Sequence, residues 1–170
     1  GWRVMTGEGG HAAFAPRSER EWELTKRLRT SHGYVSKELV LSGSGLNAVH
    51  KALCEIDGLA WEVTPPAEIM RRAHAGDKLS RDICEIRAGA TLDALGDAAL
   101  INGTRGGVVI TGGVAERLVD WLAKPEALSR FFQRGPMSHY MEPIPIRLLM
   151  EGEAALIGAA ALHFDEDLDA

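Results

Sequence analysis

An α/β fold is predicted for this chain by three observations. Short β-branched runs alternate with longer segments of helical periodicity, glycines and capping residues fall at the junctions, and 170 residues suffice for one compact unit with a sizeable core. Apolar residues make up 45% and charged residues 25%, a balance that argues for a packed core and against disorder; the aromatic share, 6%, is low. No internal repeat is visible.

The elements follow in order. Trp2 to Met5 reads as the end of a strand, so the chain is expected to begin inside one, and Gly7-Glu8-Gly9-Gly10 as a glycine turn. Ser18 and Glu21 form a capping box, predicting a helix through Trp22, Leu24 and Leu28 that Gly33 ends. Val35 to Leu41 leads to the small-residue cluster Ser42-Gly43-Ser44-Gly45. Leu46, Val49, Leu53 and Ile56 then recur at helical spacing up to Gly58. Thr64-Pro65-Pro66 places a capping hydroxyl before proline, starting a helix through Ile69 and Met70 that runs to about Gly76.

The longest helical stretch is Leu79 to Ile101, stopped by Asn102-Gly103 and expected to cross the core. Gly89 and Gly96 lie inside it at about 1 kcal/mol each against alanine, which leaves room for a break near either. Val108 to Thr111, bracketed by Gly106-Gly107 and Gly112-Gly113, reads as a buried central strand. A helix through Leu118, Val119, Trp121 and Leu122 follows, then a short one around Leu128 to Phe132, a strand from Ile144 to Met150, and an alanine-rich helix from Glu153 to His163. Residues 165–170 form an acidic tail that is expected to fray.

With a formal net charge of -5 and basic residues scattered along the chain, nucleic acid is excluded as a partner. No apolar run approaches the roughly 18 residues of a membrane span, and GWRVMTGEGG lacks a charged-then-apolar signal pattern, so a cytoplasmic location is expected. Cys54 and Cys84, far apart and each in an apolar helical stretch, read as reduced, partly buried thiols rather than a disulfide or zinc site. His50, His74, His139 and His163 have no ligand spacing and read as surface or helix-end histidines.

Three groups stand out for chemistry: Glu8 and His11 in a glycine turn, and Glu38 before a glycine cluster. Glycines let a ligand approach the backbone, a carboxylate can accept two hydroxyl hydrogen bonds, and an imidazole nitrogen can serve a third. That combination suits a polyol.

The segments Gly7-Glu8-Gly9-Gly10-His11 with Phe14-Ala15-Pro16, and His32 through Leu46, which includes Glu38 and Leu41-Ser42-Gly43-Ser44-Gly45-Leu46, resemble the sugar-binding region of bacterial glucokinases in wording and spacing. Gly106 through Gly113 is similar to the family's GGVxIxGG segment near the adenosine of ATP, and Leu156 through Ala160 resembles its closing helix, so the resemblance covers most of the chain. It implies that Glu8, His11 and Glu38 bind glucose hydroxyls and that Gly112 and Gly113 adjoin the nucleotide. The implied fold is the ribonuclease-H-like fold of the actin and hexokinase ATPase superfamily, in its C-terminal half. Residues 1–152 would be part of the large lobe, and residues 153–170 a closing helix that packs on the N-terminal lobe, plus the tail.

The resemblance further implies phosphorylation of glucose at its 6-hydroxyl by ATP, with Mg²⁺ arriving on the nucleotide. The family's first phosphate-binding motif, its asparagine–aspartate pair carrying the base, and its second phosphate loop all precede GEGGH and do not occur in these 170 residues. Phosphoryl transfer depends on such positioning and charge neutralisation, so negligible kinase activity is expected from residues 1–170 alone. A sugar-binding module without catalysis is the alternative. Without the N-terminal lobe, Ala154, Leu156, Ile157, Ala160 and Leu162 would form an uncovered apolar stripe that favours self-association, so a homodimer or a displaced helix is expected.

Other motifs carry less. Gly43-Ser44-Gly45-Leu46-Asn47-Ala48 fits a dinucleotide fingerprint, but the strand and βαβ frame it needs are interrupted at Ser36-Lys37-Glu38 and Thr64-Pro65-Pro66. Glu8 and His11 are spaced like a di-iron E-x-x-H, yet two glycines between them oppose a helix. Glu8 and Glu38 as paired glycosidase acids would need a fixed separation and one raised pKa. The zinc-binding cysteine cluster of a related family of sugar kinases and repressors does not occur here, which favours the metal-free glucokinase branch.

Overall fold

The computed structural model of the protein describes residues 5–150 and 153–164. The expected strand at Trp2 to Met5 lies, but for Met5, outside them, as does the acidic tail. Ten α-helices, two short 3-10 turns and a parallel pair of strands make up the regular structure of the described residues, an α/β arrangement in which helices predominate.

Helix α1 (Glu19–His32) starts where Ser18 Oγ accepts from Glu21 N and stops at Gly33, whose φ of 71° closes the last turn. Helix α2 (Lys37–Leu41) is a single capped turn, with Ser36 Oγ accepting from Leu39 N. Helix α3 (Leu46–Asp57) ends at left-handed Gly58. Helix α4 (Pro66–His74) differs from the expected start. Its cap is Pro65, held extended by the proline that follows, so the buried Thr64 hydroxyl falls one residue short and donates instead to Glu62 O at 3.2 Å.

Helix α5 (Lys78–Ile101) runs unbroken through Gly89 and Gly96, capped by Asp77. Both glycines are there for close approach. A Cβ at Gly89 would lie 2.7 Å from the Arg130 side chain, and one at Gly96 would lie 2.0 Å from that of Arg134. Arginines cross α5 at the two places where it has no side chain.

This helix separates two cores. Ile83, Ile86 and Ala90 face Leu24, Leu28, Val40, Val49 and Leu53 of α1 to α3. Cys84, Ala88, Leu92 and Ala99 face Ile110, Leu118, Trp121, Phe131, Met141 and Ile144. Complete burial of one such Leu or Phe side chain contributes about 1.5–3 kcal/mol, so α5 is held from both sides.

Strand β1 (Val108–Thr111) pairs in parallel with β2 (Ile146–Leu149) in the register Val108↔Ile146 to Thr111↔Leu149. Among the described residues β1 has no second neighbour, and Val109 is 57% exposed, so the expected buried central strand is half-buried, with Ile110 on its inner face. The crossover between them holds α6 (Gly113–Arg117), α7 (Val119–Leu122), α8 (Pro125–Phe132) and α9 (Ser138–Met141). The expected single helix through Leu118 to Leu122 is broken at Leu118, which leaves helical geometry with φ -95° and ψ 6°; the kink lets Leu118, Trp121 and Leu122 all bury.

Helix α10 (Ala154–Phe164) exposes Leu156 at 71% and Ile157 at 55%. The side chain of Leu162 lies outside the described residues. Cys54 and Cys84 are free and buried, and burial pushes the Cys84 thiol up to about 11. His50, expected at the surface, is 6% exposed on the inner side of α3, and burial lowers its pKa. Among the described residues no helix is long and apolar enough to cross a membrane.

Candidate functional site

The site begins with a local ladder. Gly9–His11 forms a short 3-10 turn after Glu8, with His11 N donating to Glu8 O at 3.0 Å. The next residues pair with those that lead into α2: Phe14 N donates to Val35 O at 3.0 Å, Lys37 N to Ala12 O at 2.9 Å, and Ala13 bridges Ser36. The Tyr34 hydroxyl donates to His11 O at 3.0 Å. Some 27 residues of chain are thereby closed into a loop whose two ends carry His11 and Glu38.

All three predicted sugar-site residues converge. His11 Nε2 lies 3.1 Å from Glu38 Oε2 and 4.0 Å from Glu8 Oε2. Their side chains remain accessible, at 88% for Glu8, 65% for His11 and 48% for Glu38. An imidazole flanked by carboxylates with free acceptor positions is a suitable surface for adjacent hydroxyls, which donate to the carboxylates while the ring serves another.

Glu38 also lines a groove of about 310 Å³ with Gly10, Ser42, Thr91, Thr111 and Val114. Gly112 and Gly113 lie between Thr111 and Val114, at the end of β1. Gly112 has φ 102° and ψ 157°, a conformation closed to other residues, and a Cβ there would meet nothing within 4 Å. Backbone geometry requires this glycine, and the space beside it stays open. The groove therefore runs from Glu38, the one rim residue that lines it, to Thr111 and Val114, the residues on either side of the glycine pair.

Beneath the rim runs a ladder of ion pairs that the sequence reading did not anticipate. Lys37 Nζ meets Asp97 Oδ2 at 2.5 Å, Arg134 Nη1 meets Asp97 Oδ1 at 2.8 Å, and Arg134 Nη2 donates to Asp93 O at 2.8 Å. Arg130 pairs with both Asp93 and Glu21, and Arg17 Nη1 joins Asp93 Oδ1 at 2.8 Å. Burial would lower the Arg130 pKa, but its hydrogen bonds to Glu21 and Asp93 outweigh it and the pKa rises. The signal available in sequence was charge inside an apolar stripe: Arg87 and Asp93 stand among the buried positions of α5, with half-buried Asp97 one turn after Asp93.

These features describe an α/β chain in which an accessible acid–imidazole rim adjoins, through Glu38, a groove that reaches the end of β1. The glucokinase family model matches residues 1–165, and the chain belongs to the glucokinase family. A glucokinase from Chromobacterium violaceum is 41% identical over 162 residues, covering 95% of this chain and 47% of the relative. One from Caulobacter sp. is 40% identical over 156 residues, covering 92% and 47%. The crystal structure of a glucokinase from an Antarctic psychrotroph superposes with a TM-score of 0.84 at 32% identity, over 93% of this chain and 49% of that one. The chain spans about half the length of the curated relatives it matches.

Proposed function

We propose that this chain provides the glucose-binding part of an ATP-dependent glucokinase. The carrying observation is the convergence of Glu8, His11 and Glu38 on one accessible rim, in a chain whose relatives are named glucokinases. Glu8 and Glu38 accept hydrogen bonds from glucose hydroxyls and His11 bridges them, orienting the sugar with its 6-hydroxyl toward the nucleotide. Gly112 and Gly113 adjoin ATP, for which the open space beside Gly112 leaves room.

ATP brings Mg²⁺ on its phosphates, and its γ-phosphoryl group passes to the sugar oxygen, releasing ADP. The hydroxyl proton goes to an aspartate expected in the segment that precedes GEGGH in the family. In this reading residues 1–152 belong to the large lobe of a ribonuclease-H-like, actin/hexokinase-type fold, and residues 153–170 to a closing segment. The protein works in the cytoplasm as a homodimer, a state supported by exposed Leu156 and Ile157 and checked by sedimentation.

Calorimetric titration with glucose tests the site. Replacing Glu38 or His11 by Ala is expected to abolish the binding heat without changing the melting temperature. Unchanged glucose binding in both variants would overturn the assignment.

A further inference from the structure

We infer that Arg87 is the positioning residue for Glu38: from the middle of α5 its guanidinium grips the C-terminal carbonyls of α2 and so sets where the Glu38 carboxylate meets His11. The inference rests on the reading of Glu38 as a sugar ligand.

Helix α2 has five residues, far below the length at which a helix holds itself in water. Its place must come from neighbours. The end carbonyls of any helix lack intrahelical partners, and here Arg87 supplies them: Nε donates to Val40 O at 3.3 Å, and Nη2 donates to Leu41 O at 2.6 Å and Ser42 O at 2.9 Å. The carbonyls also present the negative end of the turn to the cation.

Arg87 is 6% exposed, and among the described residues no carboxylate pairs with it. Its desolvation is offset by these carbonyls alone, and any displacement of α2 would strand a buried charge. A lysine could present only a point charge, whereas the planar fork spans three carbonyls of successive residues.

The path to Glu38 is short. Ser42, whose carbonyl Arg87 holds, donates its N–H to Glu38 O at 2.8 Å. Two further contacts fix the rest of the turn. Lys37 is anchored to Asp97, and Gly45 packs so closely on α2 that a Cβ would lie 1.9 Å from Leu39 O. Pinned at both ends to α5, the turn leaves Glu38 little freedom except at its own side-chain torsions.

The test uses the full chain with Arg87→Met and Arg87→Lys, and Glu38→Ala as reference. Nuclear Overhauser contacts between the His11 ring and the Glu38 side chain, amide exchange of Ser42, and glucose affinity are measured in each. In Arg87→Met the cross-peak is expected to fade, Ser42 exchange to accelerate, and glucose binding to weaken on the order of tenfold to a hundredfold, while amides of α1 and α3 keep their protection. Arg87→Lys is expected to recover part of each, and decides the matter if Arg87→Met does not fold. An intact cross-peak, unaltered Ser42 exchange and unaltered affinity in the folded variants overturn the inference, as does an equal loss of protection throughout the chain. Should the unmodified chain bind no glucose, or Glu38→Ala bind like it, the sugar reading fails, and the cross-peak with Ser42 exchange decides the positioning role by themselves.

Discussion

The rim of Glu8, His11 and Glu38 and the ladder from Lys37 to Glu21 are made of the same kinds of ionisable side chain and meet at consecutive residues, yet they are opposites in saturation. Glu21 is 2% exposed and takes the Arg130 guanidinium and the Arg17 N–H; the Asp93 side chain is 10% exposed and is reached by three arginines. Glu38, next to Lys37, has one partner among the described residues, a histidine at 3.1 Å, and Glu8 has that same histidine at 4.0 Å. Residue type does not separate structural charge from a candidate ligand site. Unused hydrogen-bonding capacity on an accessible side chain does.

The sharpest way to break this contrast is Arg130→Met, which takes from buried Glu21 its one ion-pair partner among the described residues and from Asp93 one of its three arginines. Removal of one partner from a buried ion pair costs about 3–5 kcal/mol, and at about 2–4 °C per kcal/mol for a chain of this size calorimetry should record a melting temperature lower by roughly 6–20 °C. Gly45→Ala comes next. Gly45 caps α3, a position that favours glycine over alanine, and an alanine methyl would also meet Leu39 O, so a loss of about 1–3 kcal/mol in urea unfolding is expected.

A smaller effect comes from the buried imidazole of His50. Burial lowers the folded pKa of His50 below 6.5. The unfolded chain therefore takes up the proton first, and the stability present above pH 6.5 is lost as pH falls toward the lowered folded value. His50→Met should remove that part of the decline in stability between these two values, measured as the difference between the two pH profiles. Least of all on stability is Glu38→Ala, expected within about 0.5 kcal/mol of the parent while glucose binding disappears. A large stability loss in that variant would move Glu38 from the rim to the scaffold.

Much of this was legible from residues alone. Ser18 and Gly33 bound α1 as their chemistry requires, Gly58 ends α3, and Val108 to Thr111 forms a strand, because caps, left-handed glycines and β-branched runs act over a few neighbouring residues. The expected hydroxyl-binding residues were also nameable, since their motifs are contiguous. Less legible were Thr64, displaced from its capping role by a second proline, and Leu118, where the helix kinks so that its apolar neighbours reach the core. Gly89 and Gly96 suggested a break in α5, but they are the sites where Arg130 and Arg134 cross it.

The sequence by itself determined where the chain turns, which stretches are helical, and which acids and imidazole stand beside glycines, because each of these depends on short-range sterics and hydrogen bonding. Only the tertiary structure decided that Glu38 meets His11, that His50 is buried, and that Arg87 serves a helix end 45 or more residues earlier in the chain. Those outcomes depend on which distant groups packing brings within about 3 Å of one another, a distance that no local pattern encodes.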